Sequence, residues 1–396
     1  MSNWKECKIK EIGKVITGKT PSMNDPEDWG DEVLFITPSD YKNYRNKAYS
    51  SIRKLSKIGV ERQKNRILPP KSVLVTCIGS DMGKTVISAL PCVTNQQINA
   101  IIPNESVINS DYLYYSTVEL YETLRVAGSD GTAVPILNKT DFENIEISLP
   151  PLPEQKAIAE VLTSLDDKID LLHKQNKTLE QLAETLFRHH FIDNAQDDWE
   201  ELSVGDVVSI KGGTTPSTKN PEYWNGDINW TSPRDLSNHV GVFLFNTERK
   251  ITEKGLSEIG SGLMPVGTVL MSSRAPIGYL AISEILVAIN QGYIAIVCDK
   301  EISNYFMFLW CKANMDEIKN AGNGSTFEEI SKTSFKEMKF LMPSSTEEFD
   351  QEVGRIFEKI KLNQKQIRNL EKLREQLLPK LMNGEIVVKI NERKRS

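Results

Sequence analysis

Residues 215–224 read TPSTKNPEYW, and residues 20–29 read TPSMNDPEDW. The two lines share Thr-Pro-Ser, Pro-Glu and Trp in the same places, at a constant offset of 195. A single domain has no chemical use for the same loop twice, so the repeat has to be followed outward. Gly18, Pro38 and Asp40 match Gly213, Pro233 and Asp235 at that offset. KLSKIG (54–59) answers KITEKG (250–255), LPPKSVL (68–74) answers MPVGTVL (264–270), and NQQINAII (95–102) answers NQGYIAIV (290–297). AGSDGT (127–132) answers AGNGST (321–326), and NKTDF (138–142) answers SKTSF (331–335). The chain is therefore two copies of one unit of roughly 190 residues. A period this long, present twice, points to duplication with a pseudo-two-fold rather than to a solenoid.

Composition narrows the class. The 396 residues are 39% hydrophobic and 26% charged, as in globular proteins. No stretch approaches the ~20 apolar residues of a membrane span. The start, MSNWKECKIKEIGKV, carries no apolar signal segment, so a cytoplasmic location is expected. The five cysteines are scattered without a CxxC pair and the four histidines are sparse, so neither a disulfide framework nor a metal site is expected. A net charge of −6 gives no overall basic signature.

Each copy opens with short β-rich runs broken by Gly and Pro: VLFIT, SVLVTCI and INAII in the first, INWTS, TVLMSS and YIAIV in the second. Residues 111–125 and 304–319 follow with helical spacing. This defines an α/β (α+β) globular domain, duplicated. A long helix closes each copy. LPPLPEQ (149–155) ends one element and starts another, with Pro153 suited to a first helical turn. Leu162, Leu165, Ile169, Leu172, Asn176, Leu179, Ala183 and Leu186 then step by three and four. Ser345 and Glu348 have capping-box spacing, and Val353, Ile356, Ile360, Asn363, Ile367, Leu370, Arg374 and Leu377 repeat the seam. A single apolar stripe needs a partner, and the other copy supplies one. The expected division is 1–150 and 196–344 as globular domains, with 151–195 and 345–396 as two long helices forming an antiparallel coiled coil. Mirroring the seams about their centre puts Asn176 opposite Asn363, a buried polar pair that would fix the register.

Three stretches then carry a family resemblance: the doubled GxTPSxxxPExW block, LPPLPEQKAIAEVLTSLDDKID (149–170) and LLPKLMNGEI (377–386). Over essentially its whole length the chain resembles the specificity subunit of type I restriction–modification systems. The resemblance implies two target recognition domains, each reading one half of a split double-stranded DNA sequence. It implies conserved helices that space the halves and dock two methyltransferase (modification) subunits, joined by restriction (motor–nuclease) subunits. It implies no catalysis and no cofactor in this chain: S-adenosylmethionine, ATP and Mg²⁺ belong to the partner subunits. The alternative, a standalone DNA methyltransferase or nuclease, would need a catalytic cluster or cofactor loop. NPEY (220–223) resembles an amino-methyltransferase motif but lacks its second proline, and its copy reads DPED.

Candidate DNA-contacting residues follow from charge and repetition. Lys42 to Lys71 holds ten Lys or Arg, Lys42, Arg45, Arg53, Lys54 and Lys57 among them, against one acid, Glu61. It reads as a phosphate-contacting surface or as a solvated loop. The matching part of the second copy is far less basic; Lys219, Arg234 and Arg274 are the candidate cations of that copy. GSDMGKT (79–85) has one residue too few for a phosphate-binding Walker loop; Ser80 and Lys84 suit a DNA contact instead. Asn95 and Gln96, with Asn290 and Gln291, either read adenine or close a turn. Thr20, Ser22, Thr215 and Ser217 open the repeated loops, and Thr132 and Ser325 sit in the glycine loops. Trp29 and Trp224 read as packing anchors.

Overall fold

The computed structural model describes residues 4–22, 24–128, 135–237, 239–274, 276–322 and 328–389. Thr132 and Ser325 lie outside them. Packing divides the chain into two units, Met1–Lys168 with Leu370–Ser396, and Ile169–Asn369. The sequence division kept each long helix whole. By contact, each unit takes one globular domain and a share of both helices.

In the first unit a five-stranded sheet runs in the order Gly13–Thr17, Ile98–Pro103, Val73–Thr76, Thr85–Ser88, Lys47–Ala48. Its central strand VLVT is buried along its whole length, because both faces are covered and alternation has no role. A four-stranded sheet stands beside it in the order Trp29–Gly30, Arg53–Leu55, Val33–Ile36, Cys92–Thr94. The second unit rebuilds the five-stranded sheet as Ser209–Lys211, Tyr293–Val297, Val269–Ser272, Leu280–Ser283, Phe243–Leu244. Its companion sheet has three strands, Arg249–Ile251, Trp224–Thr231 and Ala288–Ile289.

The stretch 111–125 is two helices, Ser110–Glu119 and Tyr121–Ala127, and 304–319 is likewise Asn304–Ala313 and Met315–Asn320. The breaks fall at matching residues, Leu120 and Asn314, whose ψ angles of 8° and 19° leave the helical region. A one-residue break barely rotates the apolar face, so periodicity runs straight across it.

The long helices span Leu152–Arg188 and Glu347–Met382. Pro153 falls in the first turn, where its missing N–H costs nothing. The second helix begins at Glu347, and Ser345 lies just outside, accepting from the Glu347 amide at 3.3 Å. In the first unit, Ile158 and Leu162 share a core with Leu381 and Met382, and Asp166 meets Arg374. In the second, Phe187 meets Phe349 and Asn176 meets Asn363. In both units one helix's numbers rise as the other's fall, so the helices pair antiparallel. Ile169, Leu172, Val353 and Ile360 fill the seam, each within 1% of complete burial.

Candidate nucleic-acid interface

The repeated motifs interlock in the same way in each unit. Gly18 lies so close to the turn at 94–97 that a Cβ would sit 2.2 Å from the Thr94 and Asn95 carbonyl oxygens. At Gly213 the clash would be 1.8 Å, with the Ile289 oxygen. The Pro-Glu turn ends against a second glycine: a Cβ on Gly59 would meet the Asp28 oxygen at 2.2 Å, and one on Gly255 the Tyr223 oxygen at 2.3 Å. These approaches explain why GxTPS, PExW, NQ and the KLSKIG-type motif recur together. NPEY is part of this framework. Pro221–Tyr223 is one 3₁₀ turn, the Asn220 side chain accepts from the Glu222 amide, and Trp224 Nε1 donates to the Ser217 carbonyl. Ser22 Oγ similarly accepts from the Asn24 amide.

The two tryptophans are packed. Trp29 meets Phe35 edge-on at 5.2 Å and Trp224 meets Trp230 at 5.0 Å. An arginine covers each, Arg53 over Trp29 at 4.5 Å and Arg249 over Trp224 at 3.5 Å. Sequence reading assigned Arg53 to phosphate and passed over Arg249; the signal was its equivalent place before the second repeated motif.

The Asn–Gln pairs divide their labour. Asn95 accepts from the Gln97 amide and Asn290 from the Gly292 amide, so both asparagines close their turns. The glutamines at the turn tips are exposed. Thr20 donates to Gln96 Oε1 at 2.8 Å, and Thr215 to Gln291 Oε1 at 2.7 Å. Four of the sequence candidates thus meet as two equivalent pairs.

The basic run is far from a uniform cationic face. Arg45 bonds Asp166 at 2.8 Å, with Glu371 at 3.5 Å. Lys47 bonds Asp167, Arg62 holds Glu27 and Asp28, Lys64 holds Glu61, and Lys57 lies 3.8 Å from Glu32. Lys42 is exposed and Lys54 half-buried. In the second unit Lys219 is exposed. Arg234 faces Glu248 at 3.8 Å and Arg274 faces Glu329 at 3.9 Å.

Gly79 to Lys84 joins the strands Val73–Thr76 and Thr85–Ser88 as a tight turn, with φ of 85° at Gly79 and 87° at Gly83. A phosphate-cradling loop runs from strand to helix, and this one runs from strand to strand. Ser80 is exposed at its tip, and Lys84 pairs with Asp81 at 2.6 Å. Lys42, Arg45 and Lys84 line one cleft of about 480 Å³ with Asp166, Arg374 and Glu375. The second unit places a cleft of about 280 Å³ at the equivalent turn, behind Gly278, lined by Leu236, His239 and Lys312. Burial first, then Arg368, holds the His239 imidazole below its usual range, so it is neutral near pH 7.

The joint between globular domain and helices differs between units. In the first, Asp166 is 1% exposed and accepts from Arg45, from Arg374 at 2.9 Å and from the Tyr115 hydroxyl at 2.7 Å. Burial, and next the Asp166 carboxylate, pushes the Tyr115 phenol far above its ordinary range, so it remains a donor. In the second, Gln364 Oε1 accepts from the Val242 and Phe243 amides at 3.2 and 3.1 Å, while Tyr305 stacks on Phe357 at 4.6 Å. At the seam Asn363 Nδ2 donates to Asn176 Oδ1 at 2.9 Å, both nearly fully buried. Among the described residues no group of three or more His, Cys, Asp or Glu could hold a metal ion, and no helix is long and apolar enough to cross a membrane.

Two equivalent scaffolds, each joined to the same helix pair and each presenting different side chains, define a duplicated reader. Residues 1–181 and 196–377 each match the type I restriction modification DNA specificity domain, so the chain belongs to the type I restriction–modification DNA specificity family. The type I restriction enzyme MjaIX specificity subunit of Methanocaldococcus jannaschii is 30% identical over 98% of this chain and 94% of its own length. The HindI specificity subunit of Haemophilus influenzae is 22% identical over 98% of this chain and all of its own. In fold, the chain is similar to the crystal structure of the type I restriction–modification S subunit from M. genitalium, with a TM-score of 0.61 and 16% identity over 96% of each chain.

Proposed function

We propose that this chain is the non-catalytic, cytoplasmic DNA-reading subunit of a type I restriction–modification complex. Each globular domain reads one half of a bipartite duplex target. The antiparallel helices set the gap, with Asn176 and Asn363 fixing their register. Methylation and cleavage, with S-adenosylmethionine, ATP and Mg²⁺, belong to modification and restriction subunits. The observation that carries this reading is one framework built twice with different residues at the same places: exposed Asn24 against exposed Lys219, exposed Asp25 against half-buried Asn220, and exposed Lys84 against half-buried Tyr279. Identical readers would need no divergence there, and a lone catalytic domain would need no duplication. Lys42, Lys54, Ser80 and Lys84 in the first unit, and Lys219, Arg234 and Arg274 in the second, remain the side chains best suited to DNA. Arg45 and Arg53 act through the framework. With two modification subunits bound, footprinting should show two short protected segments about one helical turn apart; one contiguous footprint would contradict the proposal.

The helices also offer a partner surface. Leu171 and Leu182 are exposed, and so are their repeat equivalents Leu362 and Leu373. Each pair is eleven residues apart, three turns along one helix and nearly on one face. Equivalent apolar positions on both helices suit two copies of one partner, here the modification subunit. Leu171→Glu with Leu182→Glu is expected to weaken its binding by about 30-fold or more, the scale of a lost hot spot, with thermal melting unchanged. Wild-type affinity measured by calorimetry would place the docking face elsewhere.

A further inference from the structure

The Thr–Gln pairs are the same in both units, in residue type and in hydrogen bond. In each, a glycine pressed on the turn at 94–97 or 289–292 brings the threonine over it. The asparagine is spent on closing the turn, and the glutamine is left at the tip. The threonine hydroxyl takes Oε1, which holds the amide at its oxygen and leaves Nε2 as the donor end of an exposed side chain. The result is a neutral, oriented two-hydrogen donor, built twice.

An identical donor in two readers of different half-sites cannot tell those half-sites apart. What both half-sites share is the sugar–phosphate backbone, which accepts hydrogen bonds from neutral side chains as well as from cations. We propose that Gln96, held by Thr20, and Gln291, held by Thr215, each donate to a phosphodiester oxygen and set the register of their domain on the duplex. They are positioning residues that read no base, which replaces the adenine-reading role open to them from sequence. The inference rests on the bipartite reading above.

The test uses the full chain complexed with its modification subunit. Binding is measured on the cognate duplex, on duplexes with one base pair changed in either half-site, and over a range of salt. Gln96→Ala and Gln291→Ala should each weaken binding about 2- to 10-fold, the worth of one net hydrogen bond. The loss should be equal on cognate and altered duplexes. The salt slope should not move, because a neutral donor releases no counterion. Thr20→Val, which frees the glutamine without removing it, should cost less than Gln96→Ala. Single methylphosphonate substitutions in the duplex should reveal one phosphate per half-site at which the alanine variant loses nothing further. Relaxed preference at one base pair of one half-site would make the glutamine a base reader and overturn the proposal. Unchanged affinity in both variants would overturn it too. If the wild-type complex itself shows no difference between cognate and altered duplexes, the bipartite reading fails instead.

Discussion

Replacing Asp166 with alanine is expected to destabilise the first unit by about 3–5 kcal/mol, the cost of breaking a buried ion pair from one side. Asp166 is 1% exposed and accepts three hydrogen bonds, from Arg45, Arg374 and Tyr115. Without it, two guanidinium groups stay charged where their side chains are 27% and 29% exposed. Partial access to water moves the expectation toward the lower end of that range. The Tyr115 hydroxyl loses its acceptor as well, at about 1–3 kcal/mol for a stranded buried donor. Asp166→Asn keeps an acceptor for Tyr115 and should fall between alanine and wild type. Denaturant melts would record the loss as a lowered midpoint. A shift below about 0.5 kcal/mol would mean that the Asp166 cluster contributes little to stability. The second unit closes its joint with Gln364 and stacked aromatics, so the damage should be one-sided: recognition of one half-site should loosen while the other is kept.

Asn363→Leu should cost about 1–3 kcal/mol, because it strands Asn176 in a seam where it is 5% exposed. The double change, Asn176→Leu with Asn363→Leu, should recover most of that loss, since two apolar groups of similar shape need no partner. The double variant melts near wild type but loses its register marker, so the gap between protected half-sites should become heterogeneous. Equal destabilisation in single and double variants would show that the asparagines do not depend on each other. A uniform gap in the double variant would show that leucine packing alone sets the register.

The duplication was legible because it is written in motifs: Gly18, Thr20, Trp29 and Asp40 have exact counterparts. The meeting of Asn176 and Asn363 follows from the heptad steps once the helices run antiparallel, since each is the polar exception in its stripe. Asp166 was not legible. It sits in an Asp-Asp-Lys run that looks like a solvated helix face, and its partners Arg45 and Arg374 are 121 and 208 residues away. The ion pairs of the basic run were hidden for the same reason. A count of charges between 42 and 71 cannot show that Glu27, Asp28, Asp167 and Glu371 come from elsewhere to meet them. The glycines of the framework look permissive in sequence. Gly59 and Gly255 are required for close approach, a constraint visible only beside the carbonyls they face.

The central claim is that two different half-sites are read at a fixed distance. Sequencing the methylated positions in a host that expresses this chain with its modification subunit tests that claim most directly. A single motif is predicted, made of two unlike specific halves separated by a constant unspecified gap, with one half relaxed in the Asp166→Ala strain. A contiguous motif, or two halves at variable spacing in the wild type, would contradict it.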